Sequence, residues 1–124
     1  MEKTLNAVLV TPEGIKNITV IDDLDSFYQT LECGCIDIVT RLINGKPYSI
    51  ICDDNGKFKP NVPTILTFKD DDVVEYIVGR VLIVGETDEE DELTSLSEKD
   101  VEGVMGCYTS FIGMDDFHFV RATI

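Results

Sequence analysis

Clustered and alternating apolar positions predict two antiparallel hairpins in the first half of the chain. Residues 5–10 and 15–21 are apolar runs separated by a turn that contains proline and glycine, which is typical of two strands joined by a tight connection. Residues 35–43 and 48–52 form a second pair around Asn44 and Gly45, and an Asn-Gly dipeptide between β-rich runs favours a hairpin turn. Four antiparallel strands are therefore expected before residue 53.

Apolar residues at helical spacing predict two short helices. The first is expected between a cap at Asp22 or Asp23 and a stop at Gly34. The second follows Ser97 and Asp100, whose spacing resembles a capping box with Asp in place of Glu or Gln. The apolar positions of the two helices are Leu24, Phe27, Tyr28 and Leu31, and Val101, Val104, Met105 and Tyr108. One side of each helix is expected to cover a sheet.

The second half of the chain has fewer clear patterns. Residues 81–84 are apolar and predict a buried central strand, whereas the region around Pro60 and Pro63 favours an extended loop or an edge segment. The aspartates at 70–72 are expected to cap a brief helical turn. Residues 117–121 alternate between apolar and polar side chains, which predicts a half-buried strand at the edge of the sheet.

These elements predict a single α+β domain over residues 1–124, with a mostly antiparallel, twisted sheet and both helices packed on one face. A chain of 124 residues with 44% hydrophobic residues is large enough to fill one core. The other face of the sheet is expected to be partly solvated or used for self-association. A homodimer whose sheet edges pair across a two-fold axis is therefore one expectation.

The net charge of -14, from 24 acidic and 10 basic residues, limits the partners of the chain. Such a charge repels phosphate backbones and anionic lipid headgroups, so direct binding to nucleic acid or membrane is disfavoured. The N-terminus lacks the pattern of a secretory signal, and no apolar run approaches the ~18 residues of a membrane span. A cytoplasmic location with four reduced cysteines is expected.

Several short segments carry a family resemblance. They are residues 24–31, Gly34, residues 36–39, residues 53–57, Asn61 and residues 77–85. In this order, from about residue 15 to about residue 101, the chain resembles the family named domain of unknown function three-eight-four-six. The resemblance implies a small protein of bacteriophages, plasmids and Gram-positive gut bacteria, with an origin in mobile genetic elements. It implies no activity, because no catalytic residue is assigned in that family.

The motifs that carry catalytic or metal chemistry are weak in this chain. Cys33, Cys35 and Cys52 lack the spacing and the second ligand pair of a zinc site, so buried and inert thiols are the favoured interpretation. The turn sequence at 53–56 looks like part of a calcium loop, but Val62 stands where a bidentate Glu is needed. We therefore predict no catalytic residue, no metal and no cofactor.

Two groups of carboxylates form the predicted partner-binding surface. They are Asp70, Asp71 and Asp72, and Glu86, Asp88, Glu89, Glu90, Asp91 and Glu92. Dense carboxylates can imitate the phosphates of DNA, whereas the simpler interpretation is a solvated, mobile loop. The chain is thus expected to be a non-enzymatic accessory or binding protein. The specific hypothesis is anti-defence inhibition of a basic host nuclease or DNA-binding protein.

The alternative function belongs to another class. A small-molecule-binding module or a small thiol-dependent enzyme would use a pocket near Cys33, Cys35 and Cys52. A thiol enzyme needs a lowered thiol pKa, so the reactivity of these cysteines distinguishes the two hypotheses.

Overall fold

The computed structural model describes residues 3–56, 59, 62–111 and 114–124, with the backbone alone for residues 111 and 114–116. These residues form an α+β chain with two helices and a large, mostly antiparallel sheet, as the sequence predicts. The elements are β1 (Thr4–Thr11), β2 (Gly14–Ile21), α1 (Leu24–Leu31), β3 (Ile36–Ile43), β4 (Lys46–Asp53), β5 (Pro63–Lys69), β6 (Asp72–Val78), β7 (Val81–Gly85), α2 (Glu98–Met105), β8 (Tyr108–Phe111) and β9 (Met114–Thr123).

The strands are arranged in one open sheet with the order β2-β1-β7-β4-β3-β9-β5-β6, and β8 pairs with β9 beside this path. The pairs are antiparallel except β5 with β9, which run parallel. One junction is weak, because β3 pairs with β9 only at Leu42 and Thr123. The part of β3 before Leu42 therefore has a ladder partner on one side only.

Local turn chemistry explains why the two N-terminal hairpins form as predicted. Strands β1 and β2 pair along their full length, as do β3 and β4. Asn44 and Gly45 have φ angles of 54° and 79°, the two positive values that a type I′ turn requires. The predicted central strand is also confirmed, because β7 lies between β1 and β4 with all of its residues buried.

The first helix begins as expected and ends earlier than predicted. Asp23 is its N-cap, and its Oδ1 accepts a 2.7 Å hydrogen bond from the backbone N–H of Ser26. The Ser26 side chain and, after it, the Ser26 backbone N–H lower the pKa of Asp23 by hydrogen bonding to its carboxylate. The predicted stop at Gly34 is wrong. Glu32 ends the helix instead, because it adopts the left-handed conformation and its N–H bonds to the carbonyl of Gln29.

The two helices pack against different sets of strand residues. Phe27 of α1 lies in a cluster with Leu9, whereas Val104 of α2 lies in another cluster with Val8. Since neighbouring residues of a strand point to opposite faces, the two clusters lie on opposite faces of the sheet. The prediction that both helices cover one face is not confirmed. Within the described part of the chain, neither helix has the length and apolar character to cross a membrane.

The aspartates at 70–72 do not cap a helical turn, so that prediction is wrong. They form the turn between β5 and β6, in which Lys69 pairs with Asp72 and Asp70 has a φ of 56°. Aspartate tolerates the left-handed conformation in turns better than most residues. The apolar residues that follow, which suggested a helical turn, belong to strand β6 instead.

Two strands of the sheet interior were expected elsewhere, one as an extended loop or an edge segment and the other as an edge strand. Pro60 is outside the described residues, but Pro63 is the first residue of β5, a position where a missing N–H is tolerated. Strand β5 is then flanked by β6 and β9. The predicted C-terminal edge strand is β9, which lies between β3 and β5. Both positions depend on the parallel pairing of β5 with β9, which joins distant segments of the chain.

Candidate functional site

Both predicted groups of carboxylates leave the sheet at the same end. Gly85, at the end of β7, lies near Tyr48, at the start of β4. Leu42, near the end of β3, pairs with Thr123 of β9, which in turn pairs with Phe68 near the end of β5. The loop after β7 and the β5–β6 turn therefore project in the same direction. We call this group the acidic end: Asp70, Asp71, Asp72, Glu86, Asp88, Glu89, Glu90, Asp91 and Glu92.

The carboxylates of the acidic end are almost entirely uncompensated. All of them are solvent-exposed, which confirms that residues 86–92 form an exposed loop. Within residues 3–56, 59, 62–111 and 114–124, Glu92 alone of the group forms an ion pair, at 3.9 Å from Lys3 Nζ. Lys3 Nζ also lies 3.4 Å from Asp22 Oδ2, so its positive charge is shared between two carboxylates. The mobility of the loop stays a prediction.

One carboxylate of the acidic end has a structural role. Asp88 Oδ1 accepts hydrogen bonds from the backbone N–H groups of Glu90 and Glu92, at 2.9 and 3.0 Å. The backbone N–H of Gly85 donates to Thr94 O at 2.8 Å and closes the base of the loop. A Cβ at Gly85 would collide with Thr94. Asp88 therefore orders the loop, while its neighbours direct their charge to solvent.

Outside the acidic end, the carboxylate of Asp100 holds α2 to the sheet. The predicted capping box is confirmed: Ser97 Oγ accepts from the Asp100 N–H, and Asp100 Oδ2 accepts from the Ser97 N–H, both at 3.0 Å. Asp100 Oδ1 also accepts from Lys46 Nζ at 2.6 Å and from the Tyr48 hydroxyl at 2.9 Å. The Lys46 hydrogen bond, above all, holds the pKa of Asp100 well below its usual range. Burial, together with Asp100, raises the pKa of Tyr48 to about 12.

A cleft that sequence reasoning missed lies between the β3–β4 hairpin and β6. Arg41 Nη2 of β3 is 2.6 Å from Glu75 Oε2 of β6, although these two strands share no ladder. The cleft beside this ion pair has a volume of about 190 Å³. Its lining includes Asp37, Asp53 and Asp54 and the apolar side chains Val39, Ile77 and Val78. No local motif predicts it, because the long-range pairing of β5 with β9 brings its walls together.

The cysteines of the alternative hypothesis do not share a site. Cys33 packs against the α1-side cluster, Cys52 lies in the α2-side cluster, and Cys35 is exposed. Burial raises the pKa of Cys33, and it raises the pKa of Cys52 to about 11. Both groups are therefore neutral thiols at neutral pH, whereas a thiol nucleophile needs a lowered pKa. Cys52 lines the cleft, and its Sγ donates to Asp37 O at 3.6 Å.

The segment after β4 is a turn, as the sequence analysis favoured. Asp53 Oδ1 accepts a 2.9 Å hydrogen bond from the Asn55 N–H, and Asp53 Oδ2 lies 2.7 Å from Lys59 Nζ. The hydrogen bond to Asp53 raises the pKa of Lys59. Asp53 is thus already neutralised by a lysine. Among the described residues, no group of three or more His, Cys, Asp or Glu side chains is arranged to hold a metal ion.

Comparison with known families gives one match. The model of the family described as Domain of unknown function (DUF3846) matches residues 4–109. The chain belongs to this family. The resemblance seen in the sequence over about residues 15–101 is confirmed, and the DUF3846 match extends beyond it at both ends. It includes the acidic end and the cleft, but it stops before β9 begins at Met114.

The other comparisons add no relative. No curated protein and no solved structure is significantly similar to this DUF3846 chain. Membership of DUF3846 assigns no activity, because function resides in particular sites and not in the fold. The association with mobile genetic elements stays a prediction.

Proposed function

We propose that this protein is a non-enzymatic accessory protein whose acidic end binds a basic protein partner. The observation that supports this is the exposure of two carboxylate groups at the same end of the sheet. Among the described residues, they have a single ion pair between them. Uncompensated surface carboxylates create a negative potential that steers positively charged partners and selects against acidic ones.

The specific form that we propose is inhibition of a nucleic-acid-binding host protein at its DNA site. A protein that binds duplex DNA contacts about one phosphate charge per 1.7 Å of axis with Lys and Arg. The same Lys and Arg side chains would meet the carboxylates of the acidic end. A mobile-element protein acting in the cytoplasm would in this way counter a nuclease or another defence protein.

The binding role is favoured over a thiol-dependent enzyme. The thiols of Cys33 and Cys52 have raised pKa values and lie in clusters on opposite faces of the sheet. Cys35 is exposed to solvent. These features oppose the low-pKa, shared site that nucleophilic thiol chemistry requires.

The test compares two triple variants with the same change in charge. One carries Glu86→Gln, Glu89→Gln and Asp91→Asn, and keeps Asp88 because that residue orders the loop. The control carries changes of three exposed carboxylates outside the acidic end, Glu13→Gln, Glu32→Gln and Glu102→Gln. Each protein is used for affinity capture from a bacterial lysate, followed by displacement of a fluorescent DNA duplex from the protein that is captured.

We expect to capture a DNA-binding protein. Both the wild-type protein and the control variant should displace the DNA duplex from it. The acidic-end variant should displace the duplex much more weakly, and about 0.5 M salt should abolish displacement. Equal displacement by the two triple variants would contradict the proposal. A captured partner whose DNA binding is unaffected by the wild-type protein would contradict the inhibitory form.

A further inference from the structure

We propose that the free edge of β6, with the cleft beside it, binds an extended basic segment of the partner as an added strand. This inference rests on the proposed function, because it gives the same basic partner a second contact. Strand β6 is the last in the sheet order, and β5 is its single ladder partner among the described residues. Its first five residues, 72–76, are all exposed. An unpaired edge offers backbone N–H and C=O groups to another strand.

The side chains of this edge are suited to a partner strand that carries both apolar and basic side chains. Val73 and Val74 are 42% and 49% exposed, and β-branched side chains pack well against a neighbouring strand. The carboxylates of Asp72 and Glu75 lie on either side of them in the sequence. An extended segment that alternates apolar and basic side chains would match both features.

The second open edge near the cleft is that of β3, and its own side chains cover it. On β3, Asp37 Oδ1 accepts a 2.9 Å hydrogen bond from the Ile38 N–H. Arg41 Nη1 donates at 2.8 Å to the carbonyl of Thr40. Charged side chains that occupy edge groups in this way prevent pairing with another chain. Among the described residues, no side chain forms a hydrogen bond with the backbone of Val73.

The junction between β3 and β6 contains one hydrogen-bond donor, Arg41 Nε, that an added backbone carbonyl would satisfy. Arg41 Nε and Thr67 Oγ1 are buried and have no hydrogen-bond partner among the described residues. Arg41 forms the ion pair with Glu75, whereas Thr67 lies on β5, one strand inward from the free edge. Burying such groups without a partner costs about 1–3 kcal/mol each. A carbonyl oxygen from an added strand would be an acceptor for the Arg41 Nε–H.

Charge selects a basic segment over a second copy of this chain. A homodimer formed through β6 would bring Asp72 and Glu75 of both copies to one interface, and each copy has a net charge of -14. Like charges on paired strands are destabilising. A segment with Lys or Arg would instead neutralise Asp72 and the cleft carboxylates of Asp37 and Asp54. Glu75 and Asp53 are already paired with Arg41 and Lys59.

The test uses the wild-type protein and two synthetic peptides of equal charge. The probe is a peptide of about eight residues that alternates Lys and Val, long enough to span a strand. The control has the same sequence with alternate backbone nitrogens methylated, so it keeps the charge and loses ladder donors. Affinity is measured at about 0.5 M salt, where simple charge attraction is largely screened. Amide hydrogen exchange then locates the bound peptide.

The expected result is that the unmodified peptide binds about tenfold more tightly or better, since two or three added hydrogen bonds contribute about 0.5–1.5 kcal/mol each. It should also protect amides of residues 73–78. Equal affinities, or protection confined to residues 86–92, would overturn the added strand. Protection confined to residues 86–92 would still support the acidic end as a binding surface. The two proposals can therefore be contradicted independently.

Two further measurements complete the test. They are peptide binding by a matched pair of variants and the oligomeric state of the protein. Val74→Lys on β6 should weaken peptide binding several-fold, whereas Thr19→Lys on the opposite edge strand β2 should not. Sedimentation of the protein alone should show a monomer. A dimer whose formation protects the amides of β6 would overturn the proposal, because a second copy would then be the occupant.

Discussion

Arg41 and Glu75 join two strands of the sheet that share no ladder hydrogen bond, through an ion pair of 2.6 Å. The Arg41 side chain is 18% exposed and that of Glu75 is 44% exposed, so the pair is partly screened from water on one side. It links β3 to the edge strand β6, and its two side chains line opposite walls of the cleft. The ion pair therefore adds a side-chain contact to the ladders with β5 and β9 that place the candidate binding edge.

The two members of this pair should respond differently to removal. Glu75→Gln leaves the mostly buried Arg41 guanidinium without its counter-ion, and we expect a loss of about 1–2 kcal/mol in the free energy of unfolding. Arg41→Met also removes the unpartnered Nε and fills similar volume with apolar atoms, so it should cost less than Glu75→Gln. Urea unfolding of both variants measures this. A larger loss for Arg41→Met would show that the guanidinium stabilises the junction through other contacts.

The network around Asp100 gives a pH-dependent contribution to stability. The pKa of Asp100 is lowered in the folded protein by Lys46, Ser97 and Tyr48. Its contribution is therefore fully present above the unfolded value of 3.8 and is lost as pH falls through the lower folded value. Asp100→Asn should cost about 1–2 kcal/mol at neutral pH, because it removes the charge that these groups stabilise.

The measurement for Asp100 is urea unfolding of wild type and variant at several pH values. The difference between them should stay constant above about pH 5 and should shrink below 3.8. Glu98→Gln in the same helical turn is the matched control, and it should change stability by less than about 0.5 kcal/mol. A difference that disappears well above 3.8 would mean that Asp100 is not the titrating group.

The parts of the fold that were predictable are those determined by neighbouring residues. The Asn44 and Gly45 turn, the Asp23 cap and the capping box of Ser97 each depend on side chains within a few positions. The position of β9 does not, because its pairing with β5 joins residues such as Ile65 and Val120 that are far apart in the sequence. Short apolar segments have similar local patterns whether they lie at an edge or inside a sheet.

The candidate site also has features that neighbouring residues determine and features that depend on long-range pairing. Exposure of the loop that contains Glu89 follows from the density of like charges, which resist burial wherever the chain places them. The joint position of that loop and Asp71 at one end of the sheet follows from strand direction, which the sequence does not specify. The contact of Arg41 with Glu75 is also long-range. Alternation along the strands shows only which side chains share a face.

Alkylation of the native protein tests the role of the cysteines. Burial raises the pKa of Cys52 from 9.0 to about 11, so its thiolate fraction at neutral pH should be about a hundredfold lower than for an unperturbed thiol. With iodoacetamide, we expect exposed Cys35 to react first and Cys52 last, as followed by peptide mass spectrometry. In strong urea, the difference should disappear. Fast labelling of Cys52 in the folded protein would restore the thiol-enzyme hypothesis.

The loop of the acidic end provides the most direct link between local structure and proposed binding. Asp88→Ala and Glu89→Ala remove the same charge, but only Asp88 accepts hydrogen bonds from the Glu90 and Glu92 amides. We expect Asp88→Ala to increase hydrogen exchange at these two amides by about tenfold, because each bond contributes roughly 0.5–1.5 kcal/mol to the closed loop. Glu89→Ala should leave their exchange unchanged.

The same two variants separate order from charge in partner binding. If a basic partner recognises the ordered loop, Asp88→Ala should weaken binding more than Glu89→Ala at the same salt concentration, because the disordered loop must first be fixed. If both variants weaken binding equally, the partner responds to charge alone, and the loop conformation has no part in recognition. Anisotropy titrations with the captured DNA-binding protein, at about 0.05 and 0.5 M salt, distinguish these results.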